Sequence, residues 1–233
     1  MSPVHPCYER LAMVIGPDAV EKLNRCSVAV VGLGGVGGIA AEVLARSGIG
    51  CLLLVDGDVV EETNINRQVV AYANTVGQNK ALLMAARIRG INPVIIIEAY
   101  PVFFTKDEFP LQGLDYVVDA IDSVNDKVQL IKKCQEFGIP ILSSMGAGNR
   151  LDPMAFKVMP IENTSVDPIA KIMRKKLKEL GIAGVSTVCS TEKPIKTGSA
   201  MPGSFMPAVA AAGLLMAAKV IKDILNSTDS QSL

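Results

Sequence analysis

The 233-residue chain has no tryptophan, a single histidine (His5) and five scattered cysteines, none of which forms a CxxC pair. Because structural zinc sites are usually built from closely spaced Cys and His ligands, the sequence predicts that no zinc is bound. An odd number of separated cysteines is unlike a disulfide framework and favours a reduced, cytoplasmic protein. Residues 1–10 contain no apolar segment, so nothing there indicates a signal peptide.

An excess of either charge is also absent, since Lys and Arg together number 23 and so do Asp and Glu. The net charge of the chain therefore does not attract nucleic acid, and any binding of RNA has to use a local basic patch. The uncharged segment 197–218 contains Pro202, Gly203 and Pro207. Because a transmembrane helix needs roughly 20 apolar residues, we expect a buried helix over 208–226 and no membrane span.

Apolar runs alternate with segments of helical periodicity along most of the chain. This order predicts a Rossmann-like α/β fold, a doubly wound and mostly parallel sheet with helices on both faces. Predicted strands lie at 27–31, 51–55, 94–99, 116–120 and 139–143, and predicted helices at 18–25, 35–47, 77–91 and 124–137. The predicted core is 1–153. A smaller C-terminal α/β extension, 154–226, completes the domain with a basic helix (167–180), a strand (185–191) and a mobile loop (193–207), before a disordered tail (227–233).

A glycine-rich turn, with Gly32, Gly34, Gly35 and Gly37, joins the first predicted strand to its helix. Glycines at such a turn let the backbone approach a phosphate, and the helix start offers free N–H groups. Asp56 follows the second strand, where a carboxylate can accept hydrogen bonds from ribose hydroxyls. Taken alone, these residues also fit a nicotinamide-dependent oxidoreductase.

The polar residues after Asp56 favour a triphosphate instead. Two cations, Arg67 and Lys80, can neutralise phosphate charge, and Asp122 can hold Mg²⁺ against phosphate oxygens. Asp122 is also placed to cap the following helix. A dinucleotide gives these three residues no role. The remaining members of the predicted ATP site are Asp58, Asn64, Gln68 and Ser123.

In this order the residues resemble the ThiF/MoeB/ubiquitin-activating family of ATP-dependent adenylating enzymes over residues 8–153. The resemblance implies that Gly34 and Gly35 lie against the phosphates, that Asp56 holds the ribose, and that Asp122 binds Mg²⁺. It also implies phosphate contacts from Asn64, Arg67 and Lys80. Arg10 matches an arginine that family dimers insert into the partner's ATP site, so a homodimer is implied, with Arg10, Arg67, Lys80 and Asp122 as catalytic residues.

Sulfur-carrier-activating members of the family usually have two CxxC pairs and a C-terminal domain with a cysteine-bearing loop; this sequence contains no CxxC pair, and its segments after residue 145 follow a different pattern. Segments 146–153, 164–171 and 190–194 resemble instead the branch that dehydrates threonylcarbamoyladenosine in tRNA. That branch uses ATP to convert the threonylcarbamoyl group on adenosine 37 into a cyclic form. The alternative is an adenylyltransferase acting on the C-terminus of a ubiquitin-like sulfur carrier, with a carrier or sulfur-transfer protein as partner.

The implied cyclisation needs no enzyme cysteine, because the carbamoyl group itself can displace the activating group. Cys189 is therefore interpreted as a strand-packing residue, with a reactive thiol as the alternative. A basic patch predicted to bind tRNA phosphates comprises Arg150, Lys171, Arg174, Lys175 and Lys178. The alternative for this patch is an ordinary solvated helix face.

Overall fold

The computed structural model describes residues 5–104 and 110–227. Within them, a seven-stranded sheet has the order β3-β2-β1-β4-β5-β7-β6. The strands are β1 (Ser27–Val31), β2 (Cys51–Val55), β3 (Ile96–Tyr100), β4 (Tyr116–Asp119), β5 (Ile141–Ser144), β6 (Phe156–Pro160) and β7 (Ser186–Ser190). The α-helices are α1 (Glu9–Ile15), α2 (Pro17–Asn24), α3 (Gly35–Arg46), α4 (Lys80–Ile91), α5 (Val124–Glu136), α6 (Pro168–Glu179) and α7 (Met206–Asn226).

Neighbouring strands run parallel except β6, which is antiparallel to β7. The predicted doubly wound, mostly parallel sheet is thus confirmed. Continuous aliphatic runs form β1, β2 and β4 because both faces of these central strands are buried. The sheet continues through β5 into β7, so strands of the C-terminal segment extend the same sheet.

The uncharged C-terminal segment forms most of α7, which packs closely on α3. A Cβ atom added to Gly213 would lie 2.5 Å from the Val36 carbonyl oxygen, so only glycine permits this approach. The predicted buried helix is therefore confirmed. In the described part of the chain, no helix combines the length and the apolar character that a membrane crossing requires.

Two local predictions were wrong, and two elements were missed. The continuous apolar run at 94–99 is typical of a strand buried on both faces, but β3 is an edge strand and Ile96 is 61% exposed. An apolar run does not reveal whether a strand has one neighbour or two. The antiparallel strand β6 and helix α1 were not predicted. The helix expected from Gly77 starts at Lys80, because the Asn79 side chain caps it by accepting from Ala81 and Leu82. The tail predicted to be disordered lies, except for Ser227, outside the described residues.

Candidate nucleotide site

A cleft of about 770 Å³ opens where the parallel strands end. This is the edge at which doubly wound sheets bind their ligands. The predicted ATP-binding residues Gly32, Gly34, Gly35, Asp56, Asp58, Asn64, Arg67, Gln68, Lys80, Asp122 and Ser123 all line it. Arg10 is exposed on α1 and is not part of the lining.

The glycine turn is tight because three backbone segments meet there. Gly32 has a φ of +88°, and a Cβ at this position would lie 2.6 Å from the Ala120 carbonyl oxygen. A Cβ on Gly37 would lie 1.8 Å from the Gly32 carbonyl oxygen. Gly37 is buried beneath the turn and does not line the cleft. The prediction that Gly37 contacts ATP is therefore corrected: its role is to let the helix start pack under the turn.

Asp56 lies at the end of β2 and is 9% exposed. Its carboxylate accepts hydrogen bonds from the backbone N–H of Leu33 (2.6 Å) and of Asp58 (2.8 Å). Burial raises the pKa of Asp56, and these two hydrogen bonds together with the charge of Lys80 partly offset that rise. The carboxylate is thereby fixed beside the glycine turn, in position to accept further hydrogen bonds from hydroxyl groups.

Lys80 is the first residue of α4, and its side chain is 7% exposed. A cation is unfavourable at a helix N-terminus, where the backbone N–H groups already carry partial positive charge. The ammonium group is 2.9 Å from a carboxylate oxygen of Asp58, whose side chain is 53% exposed. The Lys80 ammonium group thus lines the cleft with a largely solvated carboxylate as its ion-pair partner, an arrangement suited to an anionic ligand.

Asn64 ends a short 3₁₀ turn (Glu62–Asn64), Arg67 and Gln68 follow it in the chain, and all three line the cleft. Nη1 of Arg67 donates to the Thr63 carbonyl (2.7 Å) and to the Asn66 amide oxygen (2.9 Å). Gln68 is 7% exposed, and its Oε1 has no hydrogen-bond partner among the described residues. Buried polar atoms are nearly always paired. An orphaned amide that lines a cleft is therefore an indication that a polar ligand binds there.

Asp122 and Ser123 lie in the loop between β4 and α5. Ser123, not Asp122, caps α5, because its hydroxyl accepts from the Asp126 backbone N–H. The alternative role of Asp122 as a helix cap is therefore wrong, and its exposed carboxylate faces the cleft. Sequence reasoning missed Asp126, which also lines the cleft.

Asp119, the last residue of β4, is fully buried and does not line the cleft. Its carboxylate is 3.0 Å from Nζ of Lys127 and accepts a hydrogen bond from Ser143 (2.6 Å). Its other oxygen accepts from the Ile121 backbone N–H (3.1 Å), so the pair fixes the start of the loop that carries Asp122.

The far wall of the cleft is formed by Ala147, Gly148 and residues 201–204. The second segment belongs to the predicted loop 193–207, and Asn66 ties it to the opposite wall by donating to the Ser204 carbonyl (3.1 Å). Phe103, 64% exposed, lines the cleft next to Gly57. No local pattern in the sequence distinguishes this phenylalanine from an ordinary packing residue.

The basic patch differs from the prediction at two residues, Arg150 and Arg174. Arg150 is 1% exposed and pairs with buried Asp167 (Nη2 to Oδ2, 2.9 Å), so it is not available to contact RNA. Lys171, Lys175 and Lys178 are exposed on α6. Arg174 is half-buried, and its guanidinium donates to the Thr164 carbonyl (2.8 Å).

Cys189 is 1% exposed in β7, and burial raises the pKa of its thiol to about 12. A neutral, inaccessible thiol fits the packing interpretation and not that of a reactive nucleophile. Cys7 is exposed, with its sulfur 3.0 Å from Nδ1 of His5.

The chain is similar to several known proteins. The model of the ThiF family matches residues 8–233. The tRNA threonylcarbamoyladenosine dehydratase of Bacillus subtilis is 43% identical, with 95% of this chain and 96% of that protein aligned. The crystal structure of Escherichia coli tRNA N6-threonylcarbamoyladenosine dehydratase, TcdA, in complex with ATP has a TM-score of 0.90 and 36% identity, covering 97% of this chain and 96% of that one. The sulfur carrier protein adenylyltransferase of Thermus thermophilus is 39% identical, but only over 53% of this chain and 49% of that protein.

Proposed function

The chain belongs to the ThiF family, and from this premise we propose that it is an ATP-dependent tRNA threonylcarbamoyladenosine dehydratase. The observation that carries the proposal is the cleft, in which a glycine turn, a fixed carboxylate and two cations surround one space. The similarity to named dehydratases extends over nearly the whole chain, including the segment that follows the nucleotide site. The similarity to the sulfur carrier adenylyltransferase covers about half of the chain.

ATP is oriented by the order in which these groups occur along the sheet edge. Asp56 follows β2, the glycine turn follows β1 and Asp122 follows β4. A ribose on Asp56 therefore directs the phosphates across the glycine turn towards Asp122, in the cleft that Arg67 and Lys80 also line. The backbone N–H groups at the start of α3 and the two cations then neutralise the triphosphate.

Magnesium fits the residues around Asp122. Mg²⁺ is usually held by one or two carboxylates together with substrate phosphates, and Asp122 and Asp126 both line the cleft. Within the described residues, no group of three or more His, Cys, Asp or Glu side chains forms a self-sufficient metal site. Asp122 would thus hold Mg²⁺ only together with ATP, and the ion would stabilise negative charge on the phosphates.

The reaction is a carboxylate activation followed by ring closure. A threonyl carboxylate oxygen attacks a phosphorus of ATP and forms a mixed anhydride, displacing pyrophosphate if the α-phosphorus is attacked or ADP if the γ-phosphorus is attacked. The carbamoyl oxygen or nitrogen then attacks the carboxyl carbon and closes a five-membered ring; a carbamoyl N–H proton is released to solvent, and the phosphorylated oxygen leaves as AMP or phosphate. The nucleoside loses the elements of water, and one carboxylate oxygen leaves on the phosphoryl product. The chain supplies positioning and charge neutralisation rather than a nucleophile.

The exposed lysines of α6 bind the tRNA substrate; they are Lys171, Lys175 and Lys178. Since the chain has no net charge, this local patch supplies the phosphate contacts, and binding should weaken as salt is raised.

A homodimer completes the proposed site, with Arg10 of one copy reaching the cleft of the other. Its exposure and its absence from its own cleft support this role. A mixture of the Arg10→Ala and Lys80→Ala variants tests it. Mixed dimers contain one cleft with both residues, so turnover should reappear although each variant alone is inactive. A mixture as inactive as its components would contradict the proposal.

The test of the activity is mass spectrometry of tRNA that carries the threonylcarbamoyl group, after incubation with the protein and ATP. The modified nucleoside should lose the mass of one water only when both are present. Formation of a carrier–AMP adduct with a ubiquitin-like sulfur carrier, without change in the tRNA, would support the adenylyltransferase instead.

A further inference from the structure

The residues that follow β5 and β7 lie beyond the phosphate end of the nucleotide. The strand order runs β2, β1, β4, β5, β7, and the groups assigned to ATP occupy the first three of these strand ends. Ala147, Gly148 and residues 201–204 line the remaining part of the cleft. This inference rests on the proposed function: with ATP placed as above, the second substrate reaches the phosphates from this side.

Asn149 joins the two segments that make up this wall. It is the only non-glycine residue with positive φ (+57°) in the described part of the chain. Its backbone N–H donates to the Gly203 carbonyl (2.8 Å), and its side-chain oxygen accepts from the Gly203 N–H (2.6 Å). Its own carbonyl accepts from Ile195 (2.9 Å). A left-handed non-glycine residue is uncommon, and here it directs three hydrogen bonds to one loop.

Arg150 anchors this wall from behind. One end of its guanidinium pairs with Asp167 at 2.9 Å, and the other donates to the Glu192 backbone carbonyl. Asp167 in turn caps α6 by accepting from Ala170 (2.8 Å) and contacts the Gly146 N–H (3.4 Å). The Glu192 carboxylate accepts from Leu151 (3.1 Å). The arginine therefore connects the loop after β5, the start of α6 and the end of β7.

A buried ion pair is expensive to desolvate, and an apolar pair of similar volume is often equally stable. Overall stability alone therefore does not account for this arginine. Its planar fork can bond two acceptors in fixed directions, which a lysine does not reproduce. We propose that Arg150 is a positioning residue for the second substrate: through Asn149 and Gly203 it sets the wall against which the modified nucleoside is presented to ATP.

The test measures separately how a variant affects the reaction of the modified tRNA and the binding of ATP. Arg150→Met should lower kcat/KM for the modified tRNA by roughly tenfold to a hundredfold, the range expected for a displacement of about 1 Å. The dissociation constant of ATP, measured by calorimetry without tRNA, should change less than twofold. Arg150→Lys keeps the charge opposite Asp167 and should recover part of the loss. Asn149→Gly keeps the backbone conformation but removes the side-chain hydrogen bond. It should likewise lower kcat/KM for the modified tRNA and leave the dissociation constant of ATP nearly unchanged.

Should Arg150→Met fail to fold, the double variant Arg150→Met/Asp167→Asn removes both charges while Asn retains the helix cap. An equal loss of ATP affinity and of tRNA turnover would overturn the inference, because the whole cleft would then be affected. Unchanged tRNA kinetics in a folded variant would also overturn it. Failure of the proposed function is a different result, in which the wild-type protein itself leaves the modified nucleoside unaltered.

Discussion

The ends of the central strands and the region behind β4, β5 and β7 use charged residues in opposite ways. At the cleft, Lys80 pairs with the solvated carboxylate of Asp58, and Asp122 is exposed. Behind β4 and β5, Lys127 and Asp119 are at most 1% exposed and bond to each other. The charged groups at the cleft can still bond to a ligand, whereas the buried Lys127–Asp119 pair bonds only to groups inside the protein. A charged residue in a nucleotide fold therefore has to be judged by its partners before it is assigned to a ligand.

The largest expected effect comes from breaking a buried pair. Lys127→Met leaves Asp119 charged and unpaired, and removing one partner of such a pair costs about 3–5 kcal/mol of the free energy of unfolding. Urea unfolding measures it. Lys132→Met, on the exposed side of the same helix, is the matched control and should change stability by less than about 0.5 kcal/mol. Equal losses in the two variants would remove the distinction between buried and exposed charges on α5.

Substitutions at the cleft should reduce ATP turnover and leave stability nearly unchanged. Lys80→Ala or Arg67→Ala should reduce ATP turnover by about 10²–10³-fold, the usual loss when one preorganised electrostatic contact to a reacting anion is removed. Stability should remain near that of the wild type, because the partner carboxylate of Lys80 is solvated. Turnover is compared with Lys132→Ala, and normal turnover in both cleft variants would exclude them from the site.

The lysines of α6 should affect RNA binding moderately. Replacing all three of Lys171, Lys175 and Lys178 by alanine should make the plot of log affinity against log salt shallower. The magnitude of its negative slope should fall by about 3, one for each phosphate contact. Filter binding of tRNA at several salt concentrations measures the slope. Lys222→Ala, which replaces an exposed lysine of α7, serves as the single-lysine control. An unchanged slope would leave α6 as an ordinary solvated helix face.

The smallest effect is expected at Cys189. Because burial raises its thiol pKa to about 12, it should stay unlabelled by iodoacetamide at neutral pH, whereas exposed Cys7 is labelled. Cys189→Ala should retain turnover within about twofold, as expected for a buried thiol that serves packing only. Rapid modification of Cys189 with parallel loss of activity would restore the reactive-thiol alternative.

The sequence alone predicted the cleft side of this comparison well. The glycine turn, Asp56 and Lys80 each follow or begin a local element, so strand ends and helix starts were enough to bring them together. The unfavourable position of Lys80 at a helix N-terminus was itself a usable signal.

The buried side could not be predicted in the same way. Arg150 bonds to Asp167 and Glu192, which approach it only because β5 pairs with β7 across the 41 residues that separate these strands (145–185). A basic residue next to a basic helix has the same sequence signature whether it faces solvent or an internal carboxylate. The edge position of β3 was hidden for the same reason, since pairing partners are set by the whole sheet.

The central claim is that this cleft activates a threonyl carboxylate on tRNA with ATP. It is tested most directly with threonylcarbamoylated tRNA whose threonyl carboxylate carries ¹⁸O, incubated with the protein and ATP. The account predicts that the nucleoside loses one water while one ¹⁸O appears in AMP or in phosphate, which also identifies the phosphorus attacked. ATP consumption with no ¹⁸O in either phosphoryl product would contradict it.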